Sequence, residues 1–214
     1  MTTLDAVPTE PTEPSTDPDT TNAEPSAVES EAVESDAVES DAVESSAAHA
    51  TVATPTGPFT FVVDDAGAVL ASGWTDDAAS LLPSIHRALR PASSRWSEEL
   101  TDVRDAVDAY YAGQLDAIDA VAVRQRSGPY VEKVWESLRA VAPGSPMTFA
   151  QLAEAAGHPT AIRATATACA RNGATLFVPC HRVLRQDGTV AGFRYGKPLK
   201  QWLLTYEDGG TPTF

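Results

Sequence analysis

From Phe59 onward the apolar and polar positions fall into blocks that read as separate elements. "FTFVVDDAGAVLASGW", residues 59–74, has two apolar runs on either side of Asp64-Asp65-Ala66-Gly67, and two strand-like runs around a Gly-containing polar turn predict a β-hairpin. "DDAASLLPSIHRALR" places Ala78, Leu81, Leu82, Ile85 and Leu89 at helical spacing, which predicts a helix in which Pro83 sits early or starts a new turn. "LTDVRDAVDAYYAG" repeats the spacing with Leu100, Val103, Val107 and Tyr110 or Tyr111 and closes on Gly113. These elements predict a small, mainly structural α/β domain over residues 58–127.

A second unit, residues 128–214, opens with Pro129 at a first helical position and a stripe of Val131, Val134, Trp135 and Leu138 at i, i+3, i+4 and i+7. Thr148 and Gln151 then have the spacing of a capping box, Gly157 supplies a stop, and Pro159-Thr160 opens another helix. Two short helices joined by a tight turn form the helix-turn-helix layout, whose second helix enters a DNA groove by its N-terminal residues. That second helix is bare: Ala161, Ala164, Ala166, Ala168 and Ala170 leave Arg163 as the one long side chain of its first turns. Small residues admit a close neighbour, either another helix or a groove. The last helix, "KPLKQWLLTYE", buries Leu199, Trp202, Leu203 and Tyr206, and Glu207 follows Leu203 by four positions, near the buried face.

Upstream of Phe59 the pattern is different. "AVESEAVESDAVESDAVES", residues 27–45, repeats every five residues, so Val28, Val33, Val38 and Val43 cannot share a helix or strand face. Residues 1–57 hold thirteen Asp and Glu and no Lys or Arg, within a net charge of -15. So little apolar surface cannot offset chain entropy, and residues 1–57 are expected to form a disordered, solvating acidic tail. Beyond it, residues 58–127 carry six basic and eleven acidic side chains, and residues 128–214 carry nine and six. The C-terminal unit is the basic one, which permits a polyanionic partner. The fold class expected is α+β.

Two cysteines and no CxxC pair argue against a disulfide framework or a redox dithiol. Neither a secretory signal nor an apolar run near the roughly 20 residues of a membrane span is visible, so a soluble, cytoplasmic protein is expected. Cys169, Cys180, His181 and His158 fit no zinc spacing, and no metal or organic cofactor is expected.

Within "TLFVPCHRVL", residues 175–184, Cys180 and His181 stand side by side behind a proline. A cysteine attacks as its thiolate, which a nearby base makes accessible, and an imidazole base needs a third group to orient it. Glu207 can be that group, giving a Cys180–His181–Glu207 relay. The residues alone equally allow a buried inert thiol, a structural histidine and a fraying helix end.

"PCHRV" at 179–183, followed by "GTVAGFRYG" and "LKQWLLTYE", resembles the methylated-DNA–protein-cysteine methyltransferases, the O6-alkylguanine-DNA alkyltransferases. The resemblance runs from about Tyr130 to Glu207 and includes "RATATACARN", while residues 58–127 match in arrangement only. It implies that Cys180 accepts the alkyl group, that His181 is the base acting through a water, and that Glu207 orients it. It implies that Asn172 ties the recognition helix to the cysteine segment. Arg163 is implied to fill the gap left by a flipped nucleotide, with Ala164, Ala166 and Thr148 beside it at the DNA. The carbonyls of Cys180 and Val183 are implied to accept from the guanine amino group, and the amide of Arg194 to donate to O6. The partner implied is double-stranded DNA carrying O6-alkylguanine, bound by a monomer without a cofactor. Phe149 and Phe193 stand where relatives carry tyrosines, so the aromatic faces remain without their hydroxyls. Cys169 is expected to be a small packing residue. The rival expectation is a DNA-binding module that senses alkylated bases without transferring anything.

Overall fold

The structure, a computed structural model, describes residues 46–214. The disordered tail expected for residues 1–57 therefore lies outside the described residues up to Ser45. Its last stretch is corrected: Ala47–Thr54 is a strand, β1, antiparallel to β2 (Gly57–Asp64) from Ala47↔Asp64 to Thr54↔Gly57. Composition concealed this strand because its inward positions, Ala47, Ala50 and Val52, are small. The tight turn between the strands needs Gly57 at φ +107.

β2 continues through the expected hairpin into β3 (Val69–Gly73), and β4 (Arg95–Trp96) completes a sheet of order β3-β2-β1-β4. The hairpin turn is held by Asp64, whose Oδ1 accepts from the amides of Ala66 and Ala68, and by Gly67 at φ +82. The helix expected over residues 78–89 is also corrected. Only a 3-10 stretch, Ala78–Ser84, forms, and Ile85 is already extended at φ -79, ψ 132. Pro83 lies inside this stretch and, having no N–H, cannot continue an α-helical ladder. The inward residues survive the change, since Ala78, Leu81 and Ile85 are buried.

The α-helices follow in order. They are α1 (Thr101–Tyr111), α2 (Pro129–Arg139), α3 (Phe149–Ala155), α4 (Ile162–Ala170) and α5 (Lys197–Glu207). Val134, Trp135 and Leu138 of α2 are buried, and Trp135 Nε1 donates to the carbonyl of Ala168 in α4 at 2.9 Å. The expected capping box is present at Thr148, and Gly157 takes φ +83 between α3 and α4. Two short parallel strands, β5 (Met147–Thr148) and β6 (Val183–Leu184), lie beside this pair. Among the described residues no helix is long and apolar enough to cross a membrane.

Phe59 and Phe61 of the sheet, Tyr110 of α1, Leu138 of α2, Phe177 and Leu203 of α5 belong to one buried cluster. Each such side chain, fully removed from water, contributes about 1.5–3 kcal/mol. The sheet and the helical part therefore share one continuous core, and a second buried cluster joins Ala47, Val62, Leu70 and Ala71 of the sheet to Leu81 and Ile85. A polar seam reinforces it: Ser72 Oγ donates to the Thr175 carbonyl and Thr175 Oγ1 donates to the Ser72 carbonyl, both at 2.7 Å. The Ser72 amide donates to the Gly173 carbonyl at 2.9 Å. Gly73 lets Tyr195 close against the sheet, because a Cβ there would lie 1.7 Å from the Tyr195 hydroxyl.

Candidate active site

α4 ends at Ala170, and the chain returns through residues 172–179 to a single 3-10 turn, Cys180–Arg182. Leu176, buried in that return, takes φ 77, a conformation that costs a non-glycine residue on the order of 1–2 kcal/mol and holds only in a tightly packed setting. Asn172 anchors the segment. Its Nδ2 donates to the Val178 carbonyl at 2.7 Å and to Cys180 Sγ at 3.3 Å, while its Oδ1 accepts from the Ala174 amide at 3.1 Å.

Cys180 is buried and lines a cavity of about 330 Å³. Phe149 and Phe193 supply aromatic walls, Ala166 and Ala170 leave room on the α4 side, and Arg194 and Lys200 are the cations. Burial pushes the Cys180 thiol up, against the Asn172 hydrogen bond and the Lys200 and Arg194 charges. Lys200 is itself buried, donates to the Val183 carbonyl at 2.5 Å, and is pulled below the usual lysine range by that burial, against the attraction of Cys180.

His181, the next residue, does not line the cavity; it is wholly buried and its Nε2 lies 2.8 Å from Glu207 Oε1. Burial lowers its pKa despite the Glu207 carboxylate, so the neutral imidazole dominates at pH 7. A neutral ring that donates Nε2–H to Glu207 leaves Nδ1 as an acceptor, and Nδ1 is buried without a hydrogen-bond partner among the described residues.

Glu207 is the hub. Besides His181, its carboxylate accepts from Tyr110 Oη at 2.8 Å and from Arg182 Nε and Nη2 at 2.9 Å each. Burial alone would raise this carboxyl, but His181 and Arg182 outweigh it and pull the pKa down to about 2. Arg182 is fully buried and also donates Nη1 to the Val141 carbonyl at 2.6 Å. The two buried charges thus neutralise each other around an uncharged imidazole. Among the described residues no group of three or more His, Cys, Asp or Glu side chains could hold a metal ion.

Residues 129–209 match the family described as "6-O-methylguanine DNA methyltransferase, DNA binding domain". A methylated-DNA–protein-cysteine methyltransferase of Salmonella typhimurium is 34% identical over 158 residues, 73% of this chain and 92% of its own length. The chain belongs to the methylated-DNA–protein-cysteine methyltransferase family. The Mycobacterium tuberculosis O6-methylguanine methyltransferase shares the fold of this methyltransferase at 24% identity, with a TM-score of 0.63 over 78% of this chain and 96% of that one. The O6-methylguanine-DNA methyltransferase of Pyrococcus kodakaraensis aligns with a TM-score of 0.55 at 25% identity, over 75% of this chain and 98% of that one.

In this methyltransferase the cavity brings together Cys180, Asn172, Phe149, Phe193, Ala166 and Arg194 from the residues singled out in the sequence. Val183 is not among its lining residues, and the Val183 carbonyl already holds Lys200. Thr148 spends its hydroxyl on the cap of α3, bonded to Gln151 Oε1 at 3.0 Å and accepting from the Gln151 amide at 3.3 Å. Arg163 and Ala164 are exposed in the first turn of α4, outside the cavity. Three contributors were missed in the sequence: Lys200, Arg182 and Tyr110. Lys200 was detectable, since Lys200, Leu203 and Glu207 share a helical face at i, i+3 and i+7 and a charge on an apolar stripe needs a buried partner. Cys169 packs against the core as expected and also lines the same cavity, with its thiol pushed well up by burial.

Proposed function

We propose that this chain repairs double-stranded DNA by taking the alkyl group of O6-alkylguanine onto Cys180 in a single, irreversible step. The carrying observation is a thiol in a cavity, followed in the chain by a buried, neutral imidazole whose Nε2 is fixed on a buried, ionised carboxylate. The Cys180 proton passes toward His181 Nδ1 by way of a water. Sulfur then attacks the alkyl carbon, the carbon–O6 bond breaks with its electron pair, and guanine departs and recovers a proton. The thioether product has no acid–base route back to a thiol, so one molecule repairs one lesion, and a monomer suffices. Asn172 and Lys200 stabilise developing thiolate charge, and Arg182 and Tyr110 hold Glu207 in its ionised, oriented state.

A base inside the stack cannot present its alkyl carbon to this cavity, so the nucleotide has to be extruded, at a few kcal/mol. Small residues on α4 allow a minor-groove approach, and exposed Arg163 supplies the group that fills the gap. The test is transfer of a labelled methyl group from duplex DNA to protein, mapped by peptide. DNA binding without any label on the protein would favour the alternative, a non-catalytic sensor of alkylated bases.

Arg163→Ala is expected to slow transfer from duplex by about 10- to 100-fold, the loss of roughly 1.4–2.8 kcal/mol of gap filling. Transfer from free O6-benzylguanine, which needs no gap filled, should change by less than about twofold. Equal losses on both substrates would instead assign Arg163 to support of the fold.

Phe149 lines the cavity with a ring that has no proton to give. Phe149→Tyr adds a donor to a site where charge grows on the departing guanine, an effect worth up to about 2.7–4 kcal/mol in a closed oxyanion site and about 1–2 kcal/mol in an open cavity. Single-turnover transfer should quicken roughly tenfold with little change in affinity for unmodified duplex. An unchanged or slower rate, with binding intact, would mean that the leaving group is assisted from elsewhere.

A further inference from the structure

At the opposite end of α4 from Arg163 lies a second concave surface. It is a cleft of about 460 Å³ lined by His86 and by Arg87, Arg90, Arg126, Arg171 and Arg194, with no Asp or Glu in its wall. Residues 46–214 carry fifteen basic and seventeen acidic side chains, so convergence of five arginines is not a consequence of an overall basic surface. Among the described residues none of the five forms an ion pair. Arg90 is pinned by hydrogen bonds to the Pro83 and Ile85 carbonyls, and Arg194 Nη2 reaches the Ala170 carbonyl at 3.3 Å. Uncompensated like charges held this close repel one another, a cost that an anionic partner removes.

The position of the cleft identifies the partner. Ala170 and Arg194 line both this cleft and the cavity that contains Cys180, so the two surfaces are continuous. Arg171 follows the last turn of α4, a helix of nine residues, about 13 Å long. Exposed arginines therefore mark both ends of the recognition helix: with Arg163 at the gap, the cleft at the Arg171 end falls over the flanking duplex, and five arginines spread across it are too many for one small anion. We propose that this arginine cleft, contributed largely by the segment between β3 and α2, binds the phosphodiester backbone of the duplex flanking the lesion. The proposal rests on the repair reading for the presence of duplex, and extends the DNA surface beyond the helix-turn-helix to residues 83–90 and 126.

The test replaces Arg87 and Arg126, both exposed and without side-chain hydrogen bonds among the described residues, in the full chain. Each phosphate contact contributes about 0.9 to the slope of log affinity against log salt. Arg87→Ala with Arg126→Ala should therefore make that slope shallower by roughly 2 and weaken duplex binding by up to about 60-fold near 0.1 M salt. Transfer from free O6-benzylguanine should be unchanged. Arg87→Lys with Arg126→Lys should keep the wild-type slope, and a loss there equal to that of the alanine pair would overturn the electrostatic basis of the proposal. An unchanged slope in the alanine pair would assign the cleft to another anion and overturn it outright. A wild-type protein that binds duplex but transfers no label from either substrate would defeat the repair reading alone, with the slopes still deciding the cleft.

Discussion

Cys180→Ala is expected to abolish label transfer from methylated duplex entirely while leaving duplex affinity within about twofold of wild type. The loss is complete because no other atom at that position can form the carbon–sulfur bond. Binding persists because the α4 surface and Arg163 do not involve the thiol, and Asn172 keeps its 2.7 Å bond to Val178 when Sγ is gone. The comparison that gives this result its force is Cys169→Ala. Both sulfurs face one cavity, so proximity does not choose between them. Their surroundings do: Cys180 receives the Asn172 hydrogen bond and the influence of Lys200 and Arg194, whereas Cys169 is pushed up by burial and further by Cys180, with Lys200 as its relief. Cys169→Ala should therefore retain transfer to within a few-fold. Peptide mapping of the label decides, and a methyl group recovered on Cys169 in the wild-type protein would overturn the assignment of the acceptor.

Glu207→Gln is expected to be the most destabilising conservative change in the chain. It is isosteric, yet it leaves the fully buried Arg182 guanidinium without its counter-charge. Breaking a buried pair from one side costs about 3–5 kcal/mol. The same carboxylate links stability to pH. Its pKa falls from 4.5 to about 2 on folding, so its contribution is fully present above the unfolded value and is lost as pH drops through the folded one. That contribution is on the order of 3 kcal/mol, so wild-type stability should decline between about pH 5 and pH 2. Urea unfolding across that window should show the decline in wild type and a much flatter profile in Glu207→Gln. In the same variant His181 faces an uncharged amide in place of the carboxylate that stabilises its protonated form, and single-turnover transfer should slow at least tenfold, within the range that positioned bases contribute. Equal urea midpoints for the two proteins at pH 7 would show that the cluster around Glu207 is not the structural hub described above.

The chemistry was more legible in the sequence than the architecture around it. The Pro-Cys-His-Arg run, the capping box at Thr148 and the apolar stripe of α5 are local signals, and each has its counterpart in the structure. The misread segments depend on distant partners. Residues 47–54 look like tail because alanine and threonine carry little hydrophobic signal, and they become a strand only because β2 supplies a matching ladder. Residues 78–89 keep their inward pattern but lose the helix, since burial of Ile85 can be met by extended backbone as well as by a helical turn. Arg182 was written inside the motif, but its role depends on Glu207, 25 residues on, and on Val141, 41 residues back. Tyr110 is 97 residues from its acceptor, a separation at which no spacing rule operates.

The seam between Ser72 and Thr175, with the Tyr110–Glu207 bond, has a consequence for how such a chain can diverge. Each hydroxyl of the Ser72–Thr175 pair satisfies the other residue's carbonyl, so alanine at Ser72 strands the Thr175 carbonyl, and alanine at Thr175 leaves the Ser72 carbonyl with only the long bond from Tyr195 Oη. Drift at either is tolerated only when both change, or when water enters. The hydroxyl of Tyr110 is tied in the same way to the carboxylate that the proposed transfer uses. The sheet and the cysteine-bearing part are therefore inherited as one unit: recombination that joins the β3 and α1 segments of one relative to the α5 segment of another will yield working proteins only where these few polar partners arrive together.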